Sequence, residues 1–238
     1  MVLAKSMESL MEGNSVIRKM FELGREMAKK YGKDAVYDFS LGNPVAEVPY
    51  EVKNAIISLL ENQDPHEIHG YMQNAGFEDV REAVAEHLKK RFSVDYTKEN
   101  ILLCAGAAGG LNILARCLLD EEDEVLCFAP YFTEYKSYVS HYKGKLTVIP
   151  VKENDFSLNV EEAEKRIGRR TKAVILNNPN NPSGIIYSEE ELRALALMLE
   201  KAEERVGHPI YLICDEPYRE LAYDGREVLF MPKLYRNS

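Results

Sequence analysis

The sequence lacks a Cys-x-x-Cys pair, an excess of basic residues and any uninterrupted apolar run of the roughly 18–20 residues that span a bilayer. Thirty Lys and Arg against 39 Asp and Glu give a net charge of −9. This balance repels phosphate backbones and anionic membrane surfaces, so we expect neither a nucleic acid nor a membrane as partner. Fourteen glycines and ten prolines are ordinary usage, which excludes collagen-like and low-complexity classes.

Metal sites and targeting segments are also not expected. The four cysteines are widely spaced without a histidine pattern that would complete a zinc site, and we expect buried, reduced thiols. His66 and His69 lie three residues apart, whereas the metalloprotease helix motif places its histidines four apart. Residues 1–20 carry several charged side chains in place of the apolar core of a signal peptide. We therefore expect a cytoplasmic protein.

Short apolar runs alternate with helical patterns along most of the chain. Helical spacing of apolar residues predicts helices over 15–31, 49–60, 78–91, 106–119, 133–141, 160–168 and 188–206, with a loop over 61–76. Turn-bounded apolar runs predict five buried strands, at 101–104, 124–128, 145–151, 172–176 and 210–214. This order predicts an α/β fold with an open, mainly parallel sheet and helices on both faces, in which ligands bind at the carboxyl ends of the strands.

Small and aromatic residues follow the first two predicted strands. The glycine-rich turn that contains Ala107 and Ala108 opens a helix, so its backbone N–H groups could approach a phosphate, although close helix–sheet packing explains it equally well. The second strand is followed by Pro130, Tyr131 and Phe132 and not by the acidic residue that binds a dinucleotide ribose. An aromatic there suits stacking on a flat ring, and a core position is the alternative.

Polar residues follow the last two predicted strands. Asn177–Gly184 contains two Asn-Pro steps, which hold the chain extended, and four amides that favour binding a ligand oxygen over forming ordinary turns. Asp215 follows the fifth strand, where a partly buried carboxylate needs a cationic or N–H partner. A protonated pyridine nitrogen is one such partner, and a solvated carboxylate is the alternative.

Together these residues resemble the class I and II aminotransferases, the pyridoxal 5′-phosphate (PLP) enzymes of fold type I. By this resemblance Ala107 and Ala108 match the backbone cup for the cofactor phosphate, and Phe132 matches the aromatic that stacks on the pyridine ring. Asn181 matches the amide donor to the ring oxygen. Asp215 matches the partner of the pyridine nitrogen, which keeps the cofactor protonated as an electron sink.

The resemblance extends beyond the strand ends. Tyr218 matches the second donor to the ring oxygen, and Gly42 lies in the turn that approaches the substrate carboxylate. Tyr71 matches a tyrosine that reaches the phosphate of the neighbouring subunit, which implies a homodimer. The implied domains are an N-terminal arm with a small-domain segment, 1–45, and an incomplete PLP-binding large domain, 46–238. The implied reaction transfers an amino group from an amino acid to a 2-oxo acid.

The lysine that holds the cofactor in this family has no match. It normally follows a further strand and a serine-rich turn, whereas Lys233 follows Met231 and Pro232 without either. No catalytic residue is therefore assigned, and we expect an N-terminal fragment that is inactive by itself. The alternatives are a non-catalytic PLP-binding or dimerisation remnant, a fold type I lyase, and an ordinary nucleotide-binding α/β domain. The sequence favours no particular amino donor.

Overall fold

In the computed structural model, which describes residues 16–39, 42, 46–152 and 155–238, four parallel strands form one sheet. The strands are β1 Glu124–Phe128, β2 Lys145–Ile149, β3 Thr171–Asn177 and β4 Tyr211–Asp215, and their order across the sheet is β2-β1-β3-β4. The chain divides into two compact units between Tyr71 and Met72, and the sheet belongs to the second. The predicted α/β class with a parallel sheet is confirmed, whereas the predicted domain boundary at 45/46 stays a prediction.

The prediction of a strand at 101–104, the first of the five predicted strands, was wrong. These residues are not assigned to a strand, and Leu102 is 56% exposed. Leu103 donates its backbone N–H to the Ala75 carbonyl over 2.9 Å, which is a loop contact. An apolar run predicts burial, but a strand also requires hydrogen bonds to a neighbouring strand, and none of the four described strands pairs with this segment.

Eight α-helices lie in the described part of the chain. They are α1 Val16–Tyr31, α2 Tyr50–Asn62, α3 Pro65–His69, α4 Glu78–Phe92, α5 Gly106–Leu118, α6 Glu134–Ser140, α7 Val160–Arg166 and α8 Glu189–Val206. The predicted capping box is present at the start of α8, where Ser188 and Glu191 each bond the other's backbone N–H. None of these helices is long and apolar enough to cross a membrane.

The first unit contains α1, α2 and α3, and none of their described side chains is buried. Helix α3 lies in the segment predicted as a loop. Asp64 caps it by accepting the His66 N–H over 2.8 Å, and Pro65 occupies the first turn, where a missing N–H costs nothing. The helix is only five residues long, which is too short to show an apolar period.

The sheet of the second unit is covered on both faces. Alternate residues of β1 point to opposite faces, so that Leu126 packs against α7 and α8 while Val125 packs against α5 and α6. The core on the α8 side is the larger and includes Tyr235 from the C-terminal segment. With both faces covered, the carboxyl edge of the strands is the part of the sheet that remains for a site.

A buried carboxylate, Glu203 of α8, fastens the C-terminal segment to the sheet. Its Oε1 accepts hydrogen bonds from the Ile210 N–H at 2.8 Å, the Tyr235 hydroxyl at 2.9 Å and the Asn237 amide at 2.6 Å. Arg236 donates to Oε2 at 3.3 Å. Burial raises the pKa of Glu203, but these hydrogen bonds outweigh it, and the net pKa is lowered. Glu203 is therefore ionised at neutral pH.

Candidate active site

The last residues of β3 and β4 meet at the carboxyl edge of the sheet. Asn177 and Asp215 are register partners, and the Asn177 side-chain amide donates to the Asp215 carbonyl over 2.8 Å. The Asn178 N–H donates to the same carbonyl over 3.2 Å. The two strand ends that the sequence singled out are therefore bonded directly to each other.

Three of the four asparagines in the segment 177–181 form hydrogen bonds within the protein. Asn177, Asn178 and Asn180 are buried. Asn180 donates to the Pro130 carbonyl over 3.1 Å and so ties the loop after β3 to the loop after β1. The Asn178 side-chain oxygen accepts the Tyr187 N–H over 3.2 Å. Asn177, Asn178 and Asn180 thus help to hold the loop, while Asn180 and Asn181 line the groove described next. The binding of a ligand oxygen by this cluster of amides stays a prediction.

Asn181 and Tyr218 bring two polar groups to one point. The Asn181 side-chain amide donates to the Tyr218 hydroxyl over 3.3 Å, and its backbone N–H donates to the Asn177 side-chain oxygen over 2.6 Å. Both residues line a groove of about 450 Å³, which is within the usual size of small-molecule sites. Two donors 3.3 Å apart are suited to binding one ligand oxygen.

Asp215 is held by Tyr135, a residue for which the sequence predicted no role. The Tyr135 hydroxyl donates to Asp215 Oδ2 over 2.5 Å, and Tyr135 itself is only 1% exposed. Burial, and then the hydrogen bond to Asp215, raise the pKa of Tyr135 well above its usual range. Tyr135 therefore stays protonated and acts only as a donor, which fixes the direction of the carboxylate.

A signal for Tyr135 was present in the sequence. Tyr135 and Val139 lie four residues apart on one face of α6, and both are buried against the sheet. A tyrosine on the buried face of a helix needs a polar partner for its hydroxyl, and the strand ends are the nearest source of one. Phe132 contacts the same tyrosine, with ring centroids 5.7 Å apart and planes at 81°.

The N-terminus of α5 carries Ala107 and Ala108. Helix α5 packs on the sheet through Ala115 and leads into the amino end of β1, so its own N-terminus points toward the carboxyl edge. Gly106 has φ +73° at the first helical position, a conformation that favours glycine. Among the described residues, none accepts a backbone hydrogen bond from Ala107 or Ala108, and both are exposed. Their N–H groups are open to a ligand.

An arginine holds the segment that follows Tyr218. Arg219 forms a two-point ion pair with Glu216, with distances of 2.9 and 2.5 Å, and it donates to the carbonyls of Val228 and Leu229. Its guanidinium also lies against the ring of Phe92, 5.1 Å from the centroid. This network fixes the backbone next to Tyr218.

Two predicted site residues lie in the first unit. Tyr71 is fully exposed, and Gly42 is described without the residues on either side of it, since 40–41 and 43–45 lie outside the described residues. Their predicted roles stay predictions. Lys233 ends a short 3₁₀ turn and lines a different hollow, together with Arg91 and Phe92. No lysine of the described chain lines the groove of Asn181 and Tyr218.

The cysteines differ from the expectation of burial. Cys104 and Cys117 are exposed, while Cys127 is buried and Cys214 is partly buried. Burial raises the pKa of both the Cys127 and the Cys214 thiol to about 12, so these two are unreactive thiols at neutral pH. Within the residues that the structure describes, no group of three or more His, Cys, Asp or Glu could hold a metal ion.

Comparison with models of protein families identifies the family of this chain. The model of the aminotransferase class I and II family matches residues 35–234. The chain belongs to this family. Members of the family generally depend on PLP, and the predicted family is confirmed.

Individual relatives and solved structures similar to this chain are also named as aminotransferases. The chain is 35% identical over 189 residues to a probable aspartate/prephenate aminotransferase of Aquifex aeolicus, covering 79% of this chain and 45% of the relative. It superposes on an aminotransferase from Eubacterium rectale with a TM-score of 0.94 at 40% identity, covering 100% of this chain and 60% of that one. Aspartate aminotransferase from Thermus thermophilus with maleate gives a TM-score of 0.79 at 28% identity, covering 92% and 55%. The chain thus spans about half the length of the curated relatives it matches.

Proposed function

We propose that the protein is a PLP-dependent aminotransferase that moves an amino group from an amino acid to a 2-oxo acid. The observation that supports this proposal is the arrangement of polar side chains at the carboxyl edge of the sheet. Asp215 is fixed by Tyr135, and Asn181 and Tyr218 lie together on the loops beside it. An oriented carboxylate and a pair of oxygen-binding groups on adjacent strand ends are what a pyridinium ring with a hydroxyl substituent needs.

The donor set fits the cofactor group by group. Asp215 would accept a hydrogen bond from the ring nitrogen through Oδ1, since Oδ2 is already bonded to Tyr135. Asn181 and Tyr218 would bind the ring oxygen. Phe132 would stack on the ring, and the free N–H groups at the start of α5 would bind the phosphate. PLP supplies an electron sink that stabilises negative charge at the substrate α-carbon.

The ionisation state of Asp215 is central to this role. An anionic Asp215 would keep the ring nitrogen protonated, because the opposite charges stabilise each other at the end of a partly buried strand. Tyr135 supports the anion with a short hydrogen bond and keeps its own proton, since the pKa of Tyr135 is raised. Asp215 and Tyr135 would thereby hold one proton at the cofactor nitrogen that the reaction itself does not use.

The remaining predictions concern the whole protein. We propose that Gly42 approaches the substrate carboxylate, that Tyr71 serves the phosphate of a second copy, and that the active protein is a cytoplasmic homodimer. We also propose that residues 1–238 alone do not turn over, because no lysine lines the described groove to hold the cofactor covalently. The relatives' names support amino acid and 2-oxo acid substrates.

PLP binding to the full-length protein tests the proposal. Asp215→Asn should weaken noncovalent PLP binding about 100-fold, and Tyr135→Phe about tenfold, because each removes a charge-assisted hydrogen bond at or next to the ring nitrogen. The measurement is the PLP dissociation constant from an absorbance titration, alongside transamination of a panel of amino acids. Asp120→Asn and Tyr211→Phe, at exposed positions of the second unit that do not line the groove, are the matched controls.

Three results would each contradict a different part of the proposal. If Asp215→Asn binds PLP as tightly as the wild type, the site has been assigned wrongly. Turnover by purified residues 1–238 would refute the statement that this part is inactive. A lyase product in place of a 2-oxo acid would replace transamination with the alternative reaction of the same fold.

A further inference from the structure

A second hollow lies at the C-terminal end of α4 and is separate from the groove of Asn181 and Tyr218. It has a volume of about 440 Å³. Four cationic side chains and two aromatic rings line it, namely those of Arg91, Arg219, Arg226, Lys233, Phe92 and Phe230. The chain as a whole has a net charge of −9, so these cations are a local exception to its charge.

Two of the four cations are neutralised within the protein. Arg219 forms its two-point ion pair with Glu216 and also donates to the Leu229 carbonyl over 3.2 Å. Arg91 donates two hydrogen bonds to Glu220, at 2.6 and 3.0 Å. These bonds raise the pKa of Arg91 and lower the pKa of Glu220, so both groups stay ionised as a pair. Both arginines are therefore already matched by a carboxylate.

The other two cations, Arg226 and Lys233, are unpaired. Neither side chain forms a hydrogen bond or an ion pair with any residue that the structure describes, and both are exposed. Glu227 is the unpaired carboxylate among the described residues that line the hollow. Two free cations against one free carboxylate leave a surplus of positive charge, and this surplus attracts an anion.

Fixed backbone carries both free cations. Arg226 follows a tight turn, which its own N–H closes by donating to the Tyr223 carbonyl over 3.1 Å. Lys233 ends a 3₁₀ turn in which its N–H donates to the Phe230 carbonyl over 3.1 Å, and buried Met231 anchors the start of that turn. An anion would therefore have to order two side chains but no backbone, which lowers the entropic cost of binding it.

We propose that the second hollow binds a doubly charged phosphate group between Arg226 and Lys233. A phosphate dianion has enough acceptor oxygens to bind a guanidinium through two N–H groups and an ammonium at the same time, and its charge matches two cations. The start of α5, where the cofactor phosphate is proposed to bind, contributes no described residue to this hollow. The inference therefore does not depend on the proposed function.

Two aromatic rings give the hollow an apolar wall. Phe92 and Phe230 are stacked, with centroids 4.3 Å apart and planes at 9°. The guanidinium of Arg219 lies 5.1 and 5.5 Å from the two centroids and holds the pair in place. A free phosphate would contact the cations alone, whereas the organic part of a phosphate ester could also contact this wall. Both sources supply the same charged group, and they differ in whether the rings contribute.

Phosphate binding to the full-length protein, saturated with PLP, tests the inference. By isothermal titration with inorganic phosphate, Arg226→Gln and Lys233→Gln should each weaken binding about tenfold, because each removes a charge-assisted contact. Glu227→Gln should strengthen binding about threefold, because it removes a like charge, and a misfolded variant could not produce this gain. Arg193→Gln and Lys201→Gln, which remove exposed cations of α8, are the matched controls and should leave the affinity unchanged.

Two further ligands distinguish the charge and the source of the bound group. Acetate, which carries a single charge, should bind at least about tenfold more weakly than inorganic phosphate. Tighter binding of phenyl phosphate than of inorganic phosphate would identify an esterified ligand that contacts Phe92 and Phe230, and equal affinity would identify free phosphate. The inference is overturned if the wild type binds no phosphate, or if Arg226→Gln and Lys233→Gln both bind it within about twofold of the wild type.

Discussion

Helices α8 and α2 are both rich in leucine or isoleucine, yet they contribute to the protein in different ways. Helix α8 buries seven residues, including Leu195 and Leu199, which are completely covered. Helix α2 buries none, and its Ile56 and Leu60 are 54% and 57% exposed. The apolar content of a helix therefore does not determine its burial. The difference is that α8 faces a sheet within its own unit.

The difference between α8 and α2 shows which part of the protein contributes to stability and which part exposes an apolar surface. Removing apolar surface from water contributes about 25 cal/mol per Å², so a side chain contributes to folding only as far as it is covered. The second unit has two cores on either side of its sheet, while the described helices of the first unit leave large apolar side chains in water. An exposed face of this kind is typical of a surface that another protein segment covers. It agrees with the proposed homodimer.

Replacing a buried and an exposed leucine by alanine should give the largest difference in the free energy of unfolding. Leu199→Ala should lower the free energy of unfolding of the second unit by about 3 kcal/mol, because it leaves a cavity in the larger core. Leu60→Ala should cost less than about 0.5 kcal/mol in a dilute monomer. Urea denaturation measures both, and Leu197→Ala, at a 53% exposed position of α8, is the control within the same helix.

The Leu60→Ala variant also tests whether a second copy covers the exposed face of α2. If Leu60→Ala costs more than about 1.5 kcal/mol, and the cost rises with protein concentration, then the face of α2 is covered by a second copy in solution. The exposed and buried helices would then differ only in whether the covering surface comes from the same chain.

The second-largest loss of stability is expected at Glu203 and the groups that donate hydrogen bonds to it. Glu203→Ala should lower the free energy of unfolding by about 2 kcal/mol, because it leaves the Ile210 N–H and the Asn237 amide without an acceptor, while the Tyr235 hydroxyl keeps the Ile210 carbonyl. Glu203→Gln, which keeps one acceptor oxygen, should cost less. Urea denaturation at pH 7 checks the order of the two variants, and equal losses would show that only the charge matters.

The same cluster predicts a pH dependence with a definite sign. The pKa of Glu203 is lowered in the folded protein from its ordinary value of 4.5. The stability that it contributes is therefore complete above the unfolded pKa and is lost as the pH falls through the folded pKa. The difference in unfolding free energy between wild type and Glu203→Gln should narrow as the pH is lowered below about 4.5. A difference that stays constant would contradict the assignment.

The sequence predicted the interior of the fold better than its edges. The runs that became β1 and β3 are covered on both faces, so apolar composition alone located them, and the Ser188–Glu191 capping box located the start of α8. Residues 101–104 have the same composition, but pairing depends on a neighbouring strand, which no local pattern encodes. Within the site, local sequence indicated Asp215, whereas its contact with Tyr135 spans 80 positions and could not be deduced from spacing.

The smallest effect on the free energy of unfolding is expected at a surface ion pair, where both partners are exposed to water. Lys143 donates to Glu121 over 2.9 Å, and both side chains are about two-thirds exposed. Water and salt screen such a pair, so Lys143→Gln should change the free energy of unfolding by less than about 0.5 kcal/mol. The change should shrink further between low and high salt, as measured by urea denaturation. A loss as large as that of Glu203→Ala would mean that burial does not decide which interactions stabilise this protein.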